Sequence, residues 1–166
     1  MNTKTDPPSP VADARHRAMT ENFHRLIPHA RELGIRVMEV GRGTARLALD
    51  YRDELLGDPE RGLIHTGVIT TMIDTACGFA VIANTGKPIS IATLDLRMDY
   101  LRPALRDKTI YVQAECYRTT RHIAFVRASA WQDSEQRLIA TSTSAFMLQA
   151  RRARPDAPEP DSPNAS

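Results

Sequence analysis

No lysine or arginine interrupts the chain between Gly62 and Gly86, and from Val68 through Met72, Ala76 and Phe79 to Ala83 apolar side chains cover nearly every direction around a helical axis. Such a helix must be buried on most of its sides. It does not read as a membrane span, because the apolar run is short and Asp74 and four threonines interrupt its centre. A sheet curving around it would supply the burial. At about 100° per residue, Gly67, Thr71, Asp74 and Gly78 fall within about 60° of one another, a narrow stripe of small or polar positions on an apolar rod. The stripe leaves space beside Asp74. An ionised carboxylate in that position costs several kcal/mol unless it is hydrogen-bonded or reaches water. Asp74 either bonds to Thr70, Thr71 or a neighbouring strand and fixes the packing, or it carries out chemistry.

The flanking segments supply the sheet. Met19, Phe23, Leu26 and Ile27 fall at helical spacings of three and four, which predicts an amphipathic surface helix between Asp13 and Leu33, kinked or ended by Pro28. From Gly34 the period changes to two. Ile35 and Val37, then Ala45, Leu47 and Leu49, alternate with polar residues around Gly41-Arg42-Gly43 and predict a hairpin. A loop over Arg52 to Gly62 precedes the apolar helix, and Gly86-Lys87-Pro88 stops it. Downstream, Leu94, Leu96, Met98 and Tyr100 alternate with Thr93, Asp95, Arg97 and Asp99. Ile110 to Tyr117, Ile123 to Trp131 and Leu138 to Leu148 read as three further strands, the four together forming an antiparallel meander. Helix, hairpin, long apolar helix and four strands make an α+β protein with five or six strands. Its 166 residues suit one domain, expected over residues 13–150. Seven of the eleven prolines lie in the two ends, so residues 1–12 read as flexible and 151–166 as a disordered tail.

Composition narrows the function. With 22 basic and 20 acidic residues the net charge is +2, too even for the field of a dedicated nucleic-acid binder. The basic set is biased, however, to 19 Arg against 3 Lys, and Arg grips phosphates and carboxylates well. The two cysteines, Cys77 and Cys116, form no CxxC or Cys/His zinc pattern, so no metal is expected; Cys77 reads as a small packed group. Nothing in the sequence reads as a secretory h-region, and a reducing, cytoplasmic setting is expected. Ahead of the long helix, His65-Thr66-Gly67 presents backbone N–H groups at a helix N-terminus, where the macrodipole favours a developing negative charge. A carbonyl oxygen could be polarised there.

The run LLGDPERGLIHTGVITTMIDTACGFAV, followed by ATLDLRMDYLRPA, resembles the hotdog-fold acyl-CoA thioesterases, in the branch related to the phenylacetate-degradation thioesterases. The similarity covers roughly Leu33 to Gln149. In that family a His-Gly-Gly turn opens the central helix, an acidic residue follows the His by nine positions, and a later strand reads like V-D-M-x-Y-x-x-P. His65 and Asp74 keep that interval, and Asp95 to Pro103 keep the strand. The resemblance implies a curved antiparallel sheet around the helix and active sites at the boundary between paired subunits, as a homodimer that assembles further to a homotetramer. It also implies roles. Asp74 resembles the family's catalytic carboxylate, the amides of Thr66 and Gly67 behind His65 resemble its oxyanion donors, and Thr93 matches a Ser/Thr that can orient water. Two positions depart from the pattern: Thr66 stands where the turn carries a glycine, and Asp58 where an Asn often precedes the His by seven residues.

Thioester hydrolysis needs a donor for the carbonyl oxygen and either a base that activates water or a carboxylate that attacks directly. Asp74 could serve in either role. Coenzyme A would enter as part of the substrate, with no separate cofactor, and Arg102, Arg118 and Arg121, at strand ends or turns, are candidates for a clamp on its phosphates, with Asp58 near the carbonyl. Two other activities are alternatives on the same pattern. A non-catalytic acyl-CoA sensor or carrier would keep the pocket and explain Thr66 and Asp58, whereas a hotdog dehydratase or hydratase needs a His and a carboxylate facing each other over the substrate, and the sequence offers no such pair beyond His65 itself.

Overall fold

The computed structural model describes residues 10–85 and 89–150. The expected stop at Gly86-Lys87-Pro88 and the tail 151–166 lie outside the described residues. Three short helices open the chain: α1 (Pro10–Glu21), α2 (Phe23–Leu26) and α3 (Pro28–Leu33). Helix thus begins at Pro10, inside the segment expected to be flexible. Pro28 ends one helix and begins the next, as its fixed φ and missing N–H dictate. At Gly34, left-handed with φ 77°, the chain turns out of α3 into the sheet.

The hairpin follows as β1 (Arg36–Gly41) and β2 (Thr44–Leu49). Next come a 3-10 turn (Asp53–Leu55) and β3 (Leu56–Asp58), both in the stretch 52–62 expected to be loop, and β3 forms a small ladder with β4 (Leu63–Ile64) just beyond it. The long helix α4 spans Thr66–Thr85. The remaining strands are β5 (Ile89–Tyr100), β6 (Ile110–Thr119), β7 (Ile123–Trp131) and β8 (Leu138–Ala150).

All neighbours in the main sheet are antiparallel, in the order β1-β2-β6-β7-β8-β5. The expected four-strand meander is therefore only partly correct. β6, β7 and β8 form one, but β5 pairs with β8 at the far edge and not with β6. The connection over 101–109 carries the chain back across: Ala104 O accepts the Ile64 N–H at 2.9 Å and Leu101 N–H reaches Ile139 O at 2.9 Å. Local alternation defines a strand, whereas which neighbour it takes depends on closure of the whole sheet.

The sheet wraps α4. Ile69, Met72, Ile73 and Val81 of the helix are fully buried, as are Leu47, Ile110, Val112, Val126 and Phe146 from the strands. Each such side chain contributes roughly 1.5–3 kcal/mol of burial. The helix is long and apolar enough to cross a membrane, yet its apolar residues pack into this core. Helices α1 to α3 lie over one end of it, anchored by Phe23, whose ring meets Phe79 edge-on at 4.8 Å, and by His24 Nε2 on Ile35 O at 2.7 Å.

Candidate active site

Asp74 sits near the middle of α4, partly buried, with one face of the helix open beside it. Thr93 Oγ1 of β5 donates to Asp74 Oδ1 at 2.9 Å. The threonines of α4 do not hold this carboxylate: Thr70 Oγ1 donates to Thr66 O at 3.1 Å and Thr71 Oγ1 to Gly67 O at 2.9 Å. Among the described residues, only the neighbouring strand bonds to Asp74, through a single hydroxyl.

Strict alternation would have turned Thr93 away from Asp74. Leu96 and Met98 pack against the core and Tyr100 hydrogen-bonds with Thr70 Oγ1 at 2.6 Å, so the even positions face α4 in this half of β5. In the other half the odd positions Ile91 and Thr93 face it. A bulge between Thr93 and Asp95 reconciles the two halves, leaving Leu94 unpaired and half exposed. Bulges of this kind commonly re-aim a side chain beside a functional site.

Asp74 and Thr93 lie at one end of a cavity of about 390 Å3 whose other walls are Gly78, Phe79 and Ile82 of α4, Ile91, Phe146 and the helical segment's Met19, Leu26 and Ile27. The lining is apolar except at the Asp74 end. A carboxylate at the edge of such a space can act as a base or nucleophile toward a group held there.

The second cluster lies at the start of α4. His65 Nδ1 accepts the N–H of Gly67 at 3.0 Å and so caps the first turn of the helix with its own ring. The Gly67 amide, expected as an oxyanion donor, is thus engaged by His65 in this structure. The Thr66 N–H takes no acceptor among the described residues, and Thr66 as a residue is exposed. Close approach explains the glycines here: a Cβ on Gly67 would stand 2.9 Å from His65 Nδ1, and one on Gly57 2.9 Å from His65 Cα. Gly57, on β3, presses the His65 turn into place.

A model of the thioesterase superfamily matches residues 61–139. Across 83% of the chain and 98% of the other, a crystal structure of a Pseudomonas aeruginosa protein superposes with a TM-score of 0.70 at 36% identity. The chain belongs to the thioesterase superfamily. The medium/long-chain acyl-CoA thioesterase YigI of Escherichia coli is 27% identical over 151 residues, covering 83% of this chain and 96% of YigI. A Halobacterium salinarum protein provisionally named an esterase is 41% identical over 78 residues; this match spans 45% of the chain and about half, 52%, of that relative's length. A mutant phenylacetic acid degradation protein PaaI from Thermus thermophilus superposes at a TM-score of 0.63 with 28% identity, over 72% of this chain and 97% of its own. The hotdog arrangement of one long helix in a curved antiparallel sheet agrees with these thioesterase relatives.

The other expected residues of this thioesterase-family site do not converge in one chain. Arg102 follows β5, near the start of α4, and donates to Leu138 O at 2.9 Å. Arg118 and Arg121 are exposed around the β6–β7 turn, next to Thr119, whose Oγ1 accepts from Asn84 at the opposite end of α4 at 2.8 Å. The ends of a 20-residue helix lie roughly 30 Å apart. A single clamp built from all three arginines of one chain is therefore excluded. Asp58 is engaged locally, its Oδ1 accepting the Arg61 N–H at 3.0 Å. Within one chain His65 and Asp74 are about 13 Å apart along the helix axis and do not face each other, so a single chain forms no His–carboxylate pair.

Two contributors were not among the expected site residues. Tyr100 straps the end of β5 to the first turn of α4 through Thr70 and, at 3.4 Å, Thr66 O. Met19, Leu26 and Ile27 were read as a surface helix, and they wall the cavity. A signal was present only for the β3–β4 ladder: Leu55-Leu56 and Leu63-Ile64 flank Pro59-Glu60-Arg61-Gly62, the composition of a short hairpin.

Proposed function

We propose that the protein hydrolyses acyl-CoA thioesters, with Asp74 as the carboxylate that activates water or attacks the thioester carbon. The observation that carries this reading is the Asp74–Thr93 pair at the end of an otherwise apolar cavity. Superfamily membership and the likeness to YigI support acyl-CoA as the substrate. Thr93 holds one carboxylate oxygen, which orients the other toward the cavity, and the Thr66 N–H at the positive end of α4 polarises the carbonyl. The acid is released with coenzyme A, whose phosphates meet Arg102 on one side or Arg118 and Arg121 on the other. Chemistry of this kind calls for no metal or separate cofactor, and we place it in the cytoplasm.

One chain carries the two halves of this machinery too far apart. Thr66 and Asp74 are eight residues apart on one helix, roughly 12 Å along its axis, whereas both must act within about 3 Å of one thioester group. A two-fold partner removes the conflict: an antiparallel second α4 sets the Thr66 amide of one protomer against Asp74 of the other. β5 is an edge strand beside Asp74, with Leu94 and Tyr100 half exposed, and is the surface on which such pairing would occur. We assign the working unit as a homodimer with two shared sites, and a homotetramer as its further assembly.

The test is complementation. Asp74→Asn should lower kcat/KM on an acyl-CoA panel by about 10²–10⁴-fold. Thr66→Pro removes the N–H, together with the exposed threonine side chain, at the first helical position, where proline is well tolerated, and should cost about 10²–10³-fold. Refolded together in equal amounts, the two inactive variants should recover roughly a quarter of wild-type activity, because half the dimers then hold one intact site. No recovery, or wild-type rates for Asp74→Asn, defeats this assignment.

The reading as a non-catalytic acyl-CoA sensor or carrier draws on one specific observation, the consumption of the Gly67 amide by His65. Saturable acyl-CoA binding without thiol release by the wild-type protein would favour it.

A further inference from the structure

We propose that the cavity behind Asp74 measures the acyl group. It takes an unbranched, uncharged aliphatic chain of medium length, with Gly78, Ile91 and Phe146 packed closely along its side and Met19, Leu26 and Ile27 of the N-terminal helices closing its far end. The proposal rests on Asp74 as the hydrolytic carboxylate and extends that reading to the substrate's other end.

Asp74, Gly78 and Ile82 all line the cavity and are spaced four apart on α4, so its floor follows one face of the helix. From Asp74 to Ile82 that face runs roughly 12 Å, the reach of an extended octanoyl to decanoyl chain. Among the described residues, polar side chains line the space only at the start of the run, from Asp74, Thr75 and Thr93, and no charged side chain other than Asp74 does so. An acyl group bearing a carboxylate or phosphate at its far end would be stranded without a partner.

Gly78 is a point of close packing along the cavity wall. A Cβ there would stand 3.2 Å from Ile91 Cδ1 and 3.8 Å from Phe146 Cε1, so a side chain is accommodated only by pushing Ile91 and Phe146. The far wall has a different origin from the rest. It comes from the helical segment before β1, which docks through Phe23 on Phe79 and His24 on Ile35 O. Leu26 lines the cavity while 61% exposed, which makes it a wall that can be altered without opening the core.

Binding of S-alkyl-CoA thioethers, from butyl to hexadecyl, reads the ruler without requiring hydrolysis, and kcat/KM on the matching thioesters reads the chemistry. Affinity should rise by about fourfold per methylene up to the octyl–decyl range and then level off. Leu26→Ala should move the plateau to longer chains, and Gly78→Val to shorter ones. If Gly78→Val fails to fold, Leu26→Trp supplies the shortening from the exposed side. A flat dependence on chain length, or variants that change every chain by one common factor, overturns the proposal. Length-dependent binding without thioester turnover leaves the ruler standing and removes the hydrolase; turnover indifferent to length does the reverse.

Discussion

Asp74 and Thr93 are each unremarkable in isolation, and the 2.9 Å bond between them gives the site its direction. A hydroxyl donating to one carboxylate oxygen leaves the other without a hydrogen-bond partner among the described residues, in a side chain that lines the cavity. Thr93→Val preserves shape and removes the donor, so kcat should drop by about ten- to a hundredfold, the worth of one hydrogen bond to a charged group, while KM for acyl-CoA changes little. Steady-state kinetics on the preferred thioester decide it, and an equal rise in KM would instead mark Thr93 as a binding group. Cys77 lies one turn beyond Asp74 but is shut in the core. Burial pushes its thiol from an ordinary 9.0 up to about 12. A raised value means the unfolded chain releases this proton first as pH climbs. Cys77 therefore costs stability between pH 9 and about 12 and none below. Urea midpoints across that window should fall with pH, less steeply in Cys77→Ala. Alkylation at mildly alkaline pH should modify the partly exposed Cys116 before Cys77.

Among the elements, β5 decides the most. Its bulge lets one strand present Ile91 and Thr93 to α4 in one half and Leu96, Met98 and Tyr100 in the other. Because Leu94 is the extra residue, deleting it should leave all its neighbours on their own faces, and the protein should still unfold cooperatively. Deleting Arg97 instead turns Met98 and Tyr100 outward and Asp99 into the core, which should abolish a cooperative thermal transition. Calorimetry of the two deletions side by side checks the assignment; equal damage from both would show that Leu94 is not the bulged residue. The start of α4 depends on a second short element. β3 and β4 hold Gly57 against His65, and His65 in turn caps Gly67, so the geometry of the Thr66 amide is set by a ladder of five residues.

At the scale of the whole molecule, the proposed shared site, with Thr66 and Asp74 held apart along one helix, makes activity depend on assembly. Leu94→Lys places a charge on the exposed edge of β5, where paired copies would bring like charges together. Sedimentation should report a shift toward monomer, and thioester turnover should fall in proportion to the dimer lost. A fully active monomer would refute the shared site. The sequence by itself determined the elements that rest on local pattern. An all-round apolar helix had to be enclosed, alternating segments had to be strands, and Asp74 stood out because a carboxylate on such a helix is costly. Position in three dimensions was settled otherwise. β5 took its place beside β8, Thr93 turned to Asp74 through one extra residue, and an amphipathic N-terminal segment became a cavity wall. Periodicity is a property of neighbours along the chain and is written there. Which distant surfaces meet follows from closing the sheet around its helix, and no short stretch of residues carries that information.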